Sequence, residues 1–180
     1  MIIKRVHKLS VFLAVAILVS ACAIPAHAQW EVGANVTTAV VELASSDVAY
    51  TAETYLAKVF KLVNEARTDA GLNALTGLDA LKPLADLRAA EASVQFSHKR
   101  PDGRSCGTVF ADGGLYYSYA GENLAYGFAE PEALVKAWLN SKSHRDNLLS
   151  SNFLSAELGY YINENGTIYC SMLLYTAKAS

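Results

Sequence analysis

The chain has 180 residues, 15 basic and 17 acidic, for a net charge of −2 with histidine neutral. That length suits one domain with a real core. A near-neutral to acidic balance argues against nucleic acid or an anionic membrane surface as partner.

The opening Met1-Ile2-Ile3-Lys4-Arg5-Val6-His7-Lys8 is basic, an apolar run from Leu9 to Ala23 follows, and Ala26-His27-Ala28 closes the segment. A basic start, a short apolar stretch and small residues at Ala-x-Ala positions predict a secretory signal peptide over 1–28, cut after Ala28. The run is too short, and too soon broken by Pro25, for a transmembrane helix. A rival reading makes Val19-Ser20-Ala21-Cys22 a lipoprotein signal, with the chain anchored through acyl groups on Cys22; a membrane contact is expected only then. Cutting after Ala28 removes Lys4, Arg5 and Lys8, leaving 12 basic residues against 17 acidic, or −5. It also removes His7 and His27, so His98 and His144 alone remain of four histidines.

Residues 29–50 show no helical period and are read as a linker or N-terminal arm, with Val36 to Val41 able to form a strand. A domain is expected over 51–177. Thr51 is a helix N-cap with Glu53 in the first turn, and Leu56, Val59, Phe60, Val63 and Ala66 follow the i, i+3, i+4, i+7 spacing of one helix face. Gly71 supplies a left-handed stop, so the helix spans about 51–70. A second helix opens at Asp79, with Pro83 in its first turn, and runs to Phe96. Arg88 and Glu91 within it are expected to be a solvated surface pair. Pro101-Asp102-Gly103 is a turn signal. Tyr116, Tyr117 and Tyr119 form either a tyrosine-lined cleft or ordinary half-buried aromatics. Glu122 is expected in a glycine-bounded loop.

Pro131 begins a third helix whose buried face is Leu134, Val135, Trp138 and Leu139. Ser143 with Asp146 three residues on has the capping-box pattern, which makes His144 the first residue of a further turn. Phe153 to Ala156 is a connector. Leu158 to Ile162, the turn Asn163-Glu164-Asn165-Gly166, and Thr167 to Thr176 predict an antiparallel hairpin, with Ile168, Cys170, Met172 and Leu174 on one face. Helices first and a late hairpin indicate an α+β fold. Cys106 and Cys170 are an even pair in an oxidising compartment, so a disulfide between them is expected, the alternative being two unpaired thiols.

Four motifs carry a resemblance: Phe96-Ser97-His98 with Arg100-Pro101-Asp102-Gly103; Gly121-Glu122-Asn123-Leu124-Ala125; Trp138-x-x-Ser141-x-x-His144-Arg145-x-Asn147-Leu148-Leu149; and Leu158-Gly159-Tyr160 before a hairpin. In this order and spacing the chain resembles the short bacterial branch of the CAP superfamily, the SCP-like domains, from about Tyr55 to Tyr175. Relatives there include cysteine-rich secretory proteins, antigen 5 and pathogenesis-related 1 proteins. The resemblance implies a three-layer α-β-α sandwich around a small antiparallel sheet. It also implies a cleft of two histidines and two acids, of which His98, Glu122 and His144 match three. The second acid falls on Ser141, which departs from the two-carboxylate pattern.

Two imidazoles and a carboxylate at His98, His144 and Glu122 could hold Zn²⁺ or another divalent metal with positions open to water, as the resemblance also implies. Occupancy would then fall below about pH 6, as the imidazoles protonate. Alternatively the three residues form a hydrogen-bonded knot that orders loops. A hydrolase is a further possibility, with Glu122 as general base and His98 or His144 as electrophile or proton donor. Ser97, Ser141 and Ser143 lie near in sequence, but no Gly-x-Ser-x-Gly elbow accompanies them. The expected function is a secreted, monomeric binding module for a divalent metal and/or a lipid, cell-wall or protein ligand; the alternative is a metal-assisted or Glu-dependent, peptidase-like hydrolase.

Overall fold

The computed structural model describes residues 40–41 and 50–179. The expected signal peptide over 1–28, its lipoprotein alternative at Cys22 and most of the 29–50 arm lie outside the described residues. Within the arm, β1 (Val40–Val41) pairs antiparallel with β2 (Tyr50–Thr51).

Helix α1 covers Ala52–Asp69. Thr51 caps it: its side-chain oxygen accepts from the Thr54 N–H, and the Thr54 hydroxyl oxygen accepts from the Thr51 N–H, so the box closes with Thr in the place usually held by Glu or Gln. Gly71, at φ 74°, stops it, and Leu72 N–H then donates to Arg67 O at 2.9 Å. The buried stripe is Ala52, Tyr55, Leu56, Val59 and Val63, and it ends in a residue the periodicity did not mark, Arg67. Its guanidinium donates to four main-chain carbonyls, those of Asn73 (3.0 Å), Leu148 (2.6 Å), Ser150 (2.9 Å) and Phe153 (3.3 Å). A cation with no carboxylate beside it is tolerable in the interior because those carbonyl dipoles replace water.

After β3 (Thr76–Gly77) and a 3-10 turn at Asp79–Leu81, helix α2 runs over Lys82–Val94. Its buried face is Ala85, Arg88, Ala89 and Ala92, while Leu87 and Val94 are exposed. The small residues allow a close approach to the sheet. A Cβ on Gly159 would sit 2.0 Å from Ala85 O, so only glycine fits there. Ser171 Oγ also donates to Ala85 O at 2.7 Å. A short α3 (Thr108–Asp112) follows, then β4 (Tyr117–Tyr126), α4 (Pro131–Asn140), α5 (Lys142–Leu148), β5 (Ser155–Ile162) and β6 (Ile168–Ala177).

The sheet order is β3-β5-β6-β4. The three long strands are antiparallel, as expected, but two-residue β3 joins β5 in parallel, so the sheet is mixed. Strand β5 begins at Ser155, within the expected connector, because Ser155 and Ala156 pair with both β3 and β6. Glu122 is not in a loop: it lies mid-strand in β4, opposite Leu173 of β6. Ser141, not Ser143, is the N-cap of α5, without a side-chain cap bond, so His144 sits inside the first turn rather than opening it.

The fold is α+β in three layers. Ile168, Cys170, Met172 and Leu174 face α1 and α4 in the larger core, with Tyr55, Val59, Leu134 and Trp138. Leu173 and Tyr175 point the other way, toward Ala85 of α2 and Phe110 of α3. Cys106 and Cys170 are both free thiols, which corrects the expected disulfide. Alternation along β6 is the reason. Cys170 is buried on the α1 side, whereas Cys106 lies with Glu122, whose β6 partner Leu173 faces α2.

Candidate functional site

Glu122 projects from β4 toward α2, where its side chain is 2% exposed. Arg88, fully buried, meets it with Nε to Oε2 at 2.6 Å and Nη2 to Oε1 at 3.2 Å. The expected solvated Arg88–Glu91 pair is thus corrected. Arg88 Nη1 does bind Glu91 Oε2, at 2.5 Å, but its fork is turned inward onto a strand 34 residues away. Nη2 also donates to Ser97 O at 2.9 Å, which fixes the chain just before His98. His98 Nδ1 then donates to Glu122 Oε1 at 2.8 Å.

The pairing continues outward. Arg100 binds Glu91 through Nη2 (2.7 Å) and Nε (3.0 Å), and Asp112 through Nη1 (2.6 Å). Arg104 reaches Asp112 and Asp102. The Arg100-Pro101-Asp102-Gly103 motif is therefore an anchored hairpin. Arg100 N–H donates to Arg104 O, Gly103 N–H to Arg100 O, and Gly103 takes φ 86°. Lys99 bridges Ser105, and Cys106 N–H donates to His98 O at 2.9 Å. The hairpin returns the chain so that Cys106 stands beside His98.

A nitrogen of His98, Sγ of Cys106 and an oxygen of Glu122 lie within 4.8 Å of one another, the one such group of three potential metal donors among the described residues. His98 is 60% exposed at its side chain and Cys106 is half-buried, so the group is reachable from solvent. Hydrogen bonding to Cys106, then to Glu122, raises the His98 pKa from its ordinary value to about 10. Burial alone would raise the Glu122 pKa, but the bonds from His98 and Arg88 outweigh it and hold it below the usual carboxylate range.

The structure brings His98 and Glu122 together as expected. His144 is not one of the three clustered donors. It is half-buried on α5, and its pKa is lowered by burial and then by the nearby charge of His98. Its carbonyl accepts from Asn123 Nδ2 at 3.1 Å. Asn147 Nδ2 donates to Glu122 O (3.2 Å) and to Asn123 Oδ1 (3.0 Å). Asn123 and Asn147 thus hold α5 against β4 from within two of the motifs. The Ser141 hydroxyl makes only a 3.4 Å contact with Ser143 Oγ. Tyr116 and Tyr117 line a separate groove of about 430 Å³ with Ser105, Gly107 and Lys178, while Tyr119 is an exposed strand residue.

Cys106 and Arg88 are the site residues that sequence reasoning missed. The placement of Cys170 among Ile168, Met172 and Leu174 already marked it as a core side chain, and so left Cys106 unpaired.

Glu122 is poorly placed as a general base. Its oxygens accept three bonds, from Arg88 twice and His98 once, and its side chain is almost wholly excluded from water. The donors do fit a cation of the Zn²⁺ class, which takes nitrogen, sulfur and carboxylate oxygen.

Known proteins share this arrangement of elements. The chain is 34% identical over 122 residues to the uncharacterized protein YkwD of Bacillus subtilis (strain 168), covering 67% of this chain and 47% of that protein. It thus spans about half the length of that relative. An extracellular protein of Bacillus anthracis containing an SCP domain matches with a TM-score of 0.62 and 25% identity, over 68% of this chain and 40% of that one. An outer surface protein of Borrelia burgdorferi shares the fold, with a TM-score of 0.61 and 22% identity, over 67% of this chain and 90% of that one. Among the described residues, no helix is long and apolar enough to cross a membrane. The family model for the cysteine-rich secretory protein family, CAP, matches residues 60–174, more than half of the chain, and the chain belongs to that family.

Proposed function

We propose that this chain is a secreted binding module whose site takes a divalent cation, Zn²⁺ being the best match. The observation that carries this reading is the convergence of a His98 nitrogen, Cys106 Sγ and a Glu122 oxygen within 4.8 Å. Zn²⁺ holds nitrogen at about 2.0–2.1 Å and sulfur at about 2.3 Å, so side-chain rotations of modest size bring His98 and Cys106 onto one ion, with Glu122 pinned behind them by Arg88. Glu122, clamped by Arg88, orients the ring through Nδ1, and Nε2 can serve as the ligating nitrogen once its proton has left. His144, within reach of the charge of His98, is the other imidazole that the family resemblance assigns to the site. When bound, the cation supplies a Lewis-acidic anchor for an anionic or carbonyl group of an organic ligand.

That organic ligand is of lipid, cell-wall or protein origin. Phe96, two residues before His98, packs its exposed ring edge-on against the exposed ring of Tyr126, with centroids 4.7 Å apart, and the pair offers it apolar contact. The neighbours described as extracellular or outer-surface proteins favour export. The hydrolase reading is disfavoured by the three bonds on Glu122 and its exclusion from water.

The test is calorimetric titration of Zn²⁺ into the purified chain and into His98→Ala. Heat of binding in the parent and none in the variant is expected; equal binding by both places the cation elsewhere.

A further inference from the structure

We propose that Cys106 is a direct thiolate ligand of the cation, so that the site selects a thiophilic divalent cation over Mg²⁺ and Ca²⁺. This rests on the reading of the site as a cation site and deepens it, making the thiolate, among the converging donors, the ligand that decides which ions are taken. Neither the expected set of His98, Glu122 and His144 nor the expected disulfide gave Cys106 such a role.

Three observations carry the inference. First, Cys106 is a free thiol in a half-buried position, and Cys170 is held away from it on the other face of the sheet. Second, its place beside His98 is built by the main chain: the Cys106 N–H to His98 O bond closes the two arms of the hairpin, and Lys99 bridges Ser105 within them. The same hairpin is tied down by Arg100 to Glu91 on α2 and Asp112 on α3. Two donors on the paired arms of an anchored hairpin need little ordering to meet one ion. Third, the oxygens of Glu122 are already engaged by Arg88 and His98, which leaves the carboxylate to orient the imidazole and makes sulfur the second strong donor.

The charge arithmetic agrees. Glu122 is neutralised by Arg88, so imidazole and thiolate face a dication with one negative charge between them. On binding, the Cys106 thiol proton and the second ring proton of His98, whose pKa is raised to about 10, both leave to solvent, so binding strengthens as pH rises. Hard cations prefer all-oxygen shells and gain little from such a pair.

Co²⁺ is the probe, because a thiolate bound to it gives an intense near-ultraviolet charge-transfer band. Anaerobic titration of the full chain is expected to produce that band. Zn²⁺ is expected to displace it, and excess Mg²⁺ or Ca²⁺ to leave it unchanged. Cys106→Ser should lose the band and bind Co²⁺ at least tenfold more weakly, while His98→Ala binds none at this site. Co²⁺ binding of equal affinity in the parent and Cys106→Ser, without the band, overturns the thiolate ligand and leaves the cation site standing. A parent that binds neither Co²⁺ nor Zn²⁺ overturns both. A second measurement needs no variant: Zn²⁺ should slow iodoacetamide labelling of Cys106, with buried Cys170 silent in the native protein. Labelling that is fast and indifferent to Zn²⁺ marks Cys106 as a free nucleophile beside His98 and overturns the inference.

Discussion

Both faces of the sheet bury arginine, Arg67 on one and Arg88 with Arg100 on the other, and they differ in what they give it. On the α1 face, Arg67 ends an apolar stripe and is met by four carbonyl oxygens. On the α2 face, Arg88 is met by Glu122 and Glu91, and those lead on to Arg100, Asp112 and Arg104. The cysteines divide in the same way. Cys170, on the α1 face, is fully enclosed and its pKa is pushed up to about 12 by burial, so it stays an inert thiol. Cys106, on the α2 face, stands beside an imidazole. Main-chain carbonyls tie a structure together but cannot change charge. Carboxylates can, so the face built from them is the one that carries a site.

Removing a partner on the α2 face should produce the largest loss. Glu122→Ala leaves Arg88 buried with Glu91 alone, and a cost of about 3–5 kcal/mol is expected in urea unfolding. The double change Arg88→Met/Glu122→Leu should recover most of that loss, since an apolar pair of similar volume avoids the desolvation of both charges. A double variant as unstable as the single one would break the contrast between the faces. Arg67→Met should cost less, about 1–3 kcal/mol, by stranding buried carbonyls.

The smallest effect expected is on the acid limb. Burial acts to raise the Glu91 and Glu122 pKa values, but their arginine partners, with His98 for Glu122, hold both below the ordinary range. Asp112 is lowered to about 2 by Arg104 and then Arg100. Carboxylates with depressed folded-state values stabilise above their unfolded pKa, about 4, and that stability is lost as pH falls through the folded value. Stability should therefore decline from about pH 4.5 to about pH 2. Asp112→Asn should flatten that decline, whereas Arg67→Met should leave its slope as in the parent. A slope changed by Arg67→Met and not by Asp112→Asn would reverse the assignment of the two faces.

Much of this was legible in the sequence, because local chemistry decides it. Thr51 and Gly71 bound α1 at residues 52–69 as their capping and left-handed preferences dictate, and the Asn163–Gly166 turn sets the β5–β6 register. His98 and Glu122 stood out by motif and do meet. What was not legible depends on side chains distant in sequence. Arg88 and Glu91, at i and i+3, look like a surface pair unless it is known that Glu122 projects from the strand packed beneath them. An even count of cysteines suggests a bond until strand alternation sends the two thiols to opposite faces. A capping pattern at Ser143 lost to Ser141 because Ser141 is still extended, at φ −87° and ψ 122°, where α5 begins.

The contact at Gly159 reaches further than its own strand. With no Cβ between Gly159 and Ala85 O, and with Ser171 Oγ holding the same carbonyl, α2 rests almost on the backbone of the sheet. Arg88 lies three residues along from Ala85, one helical turn nearer the site, and its short bonds to Glu122 depend on that spacing. Gly159 acts as the shim that sets the distance between two layers. A methyl group added there would lift the helix like a lever and carry the arginine, the Ser97 carbonyl it grips and finally the His98 ring away from their partners. The Leu-Gly-Tyr signature on a distant strand would then belong to the machinery of the site without touching it.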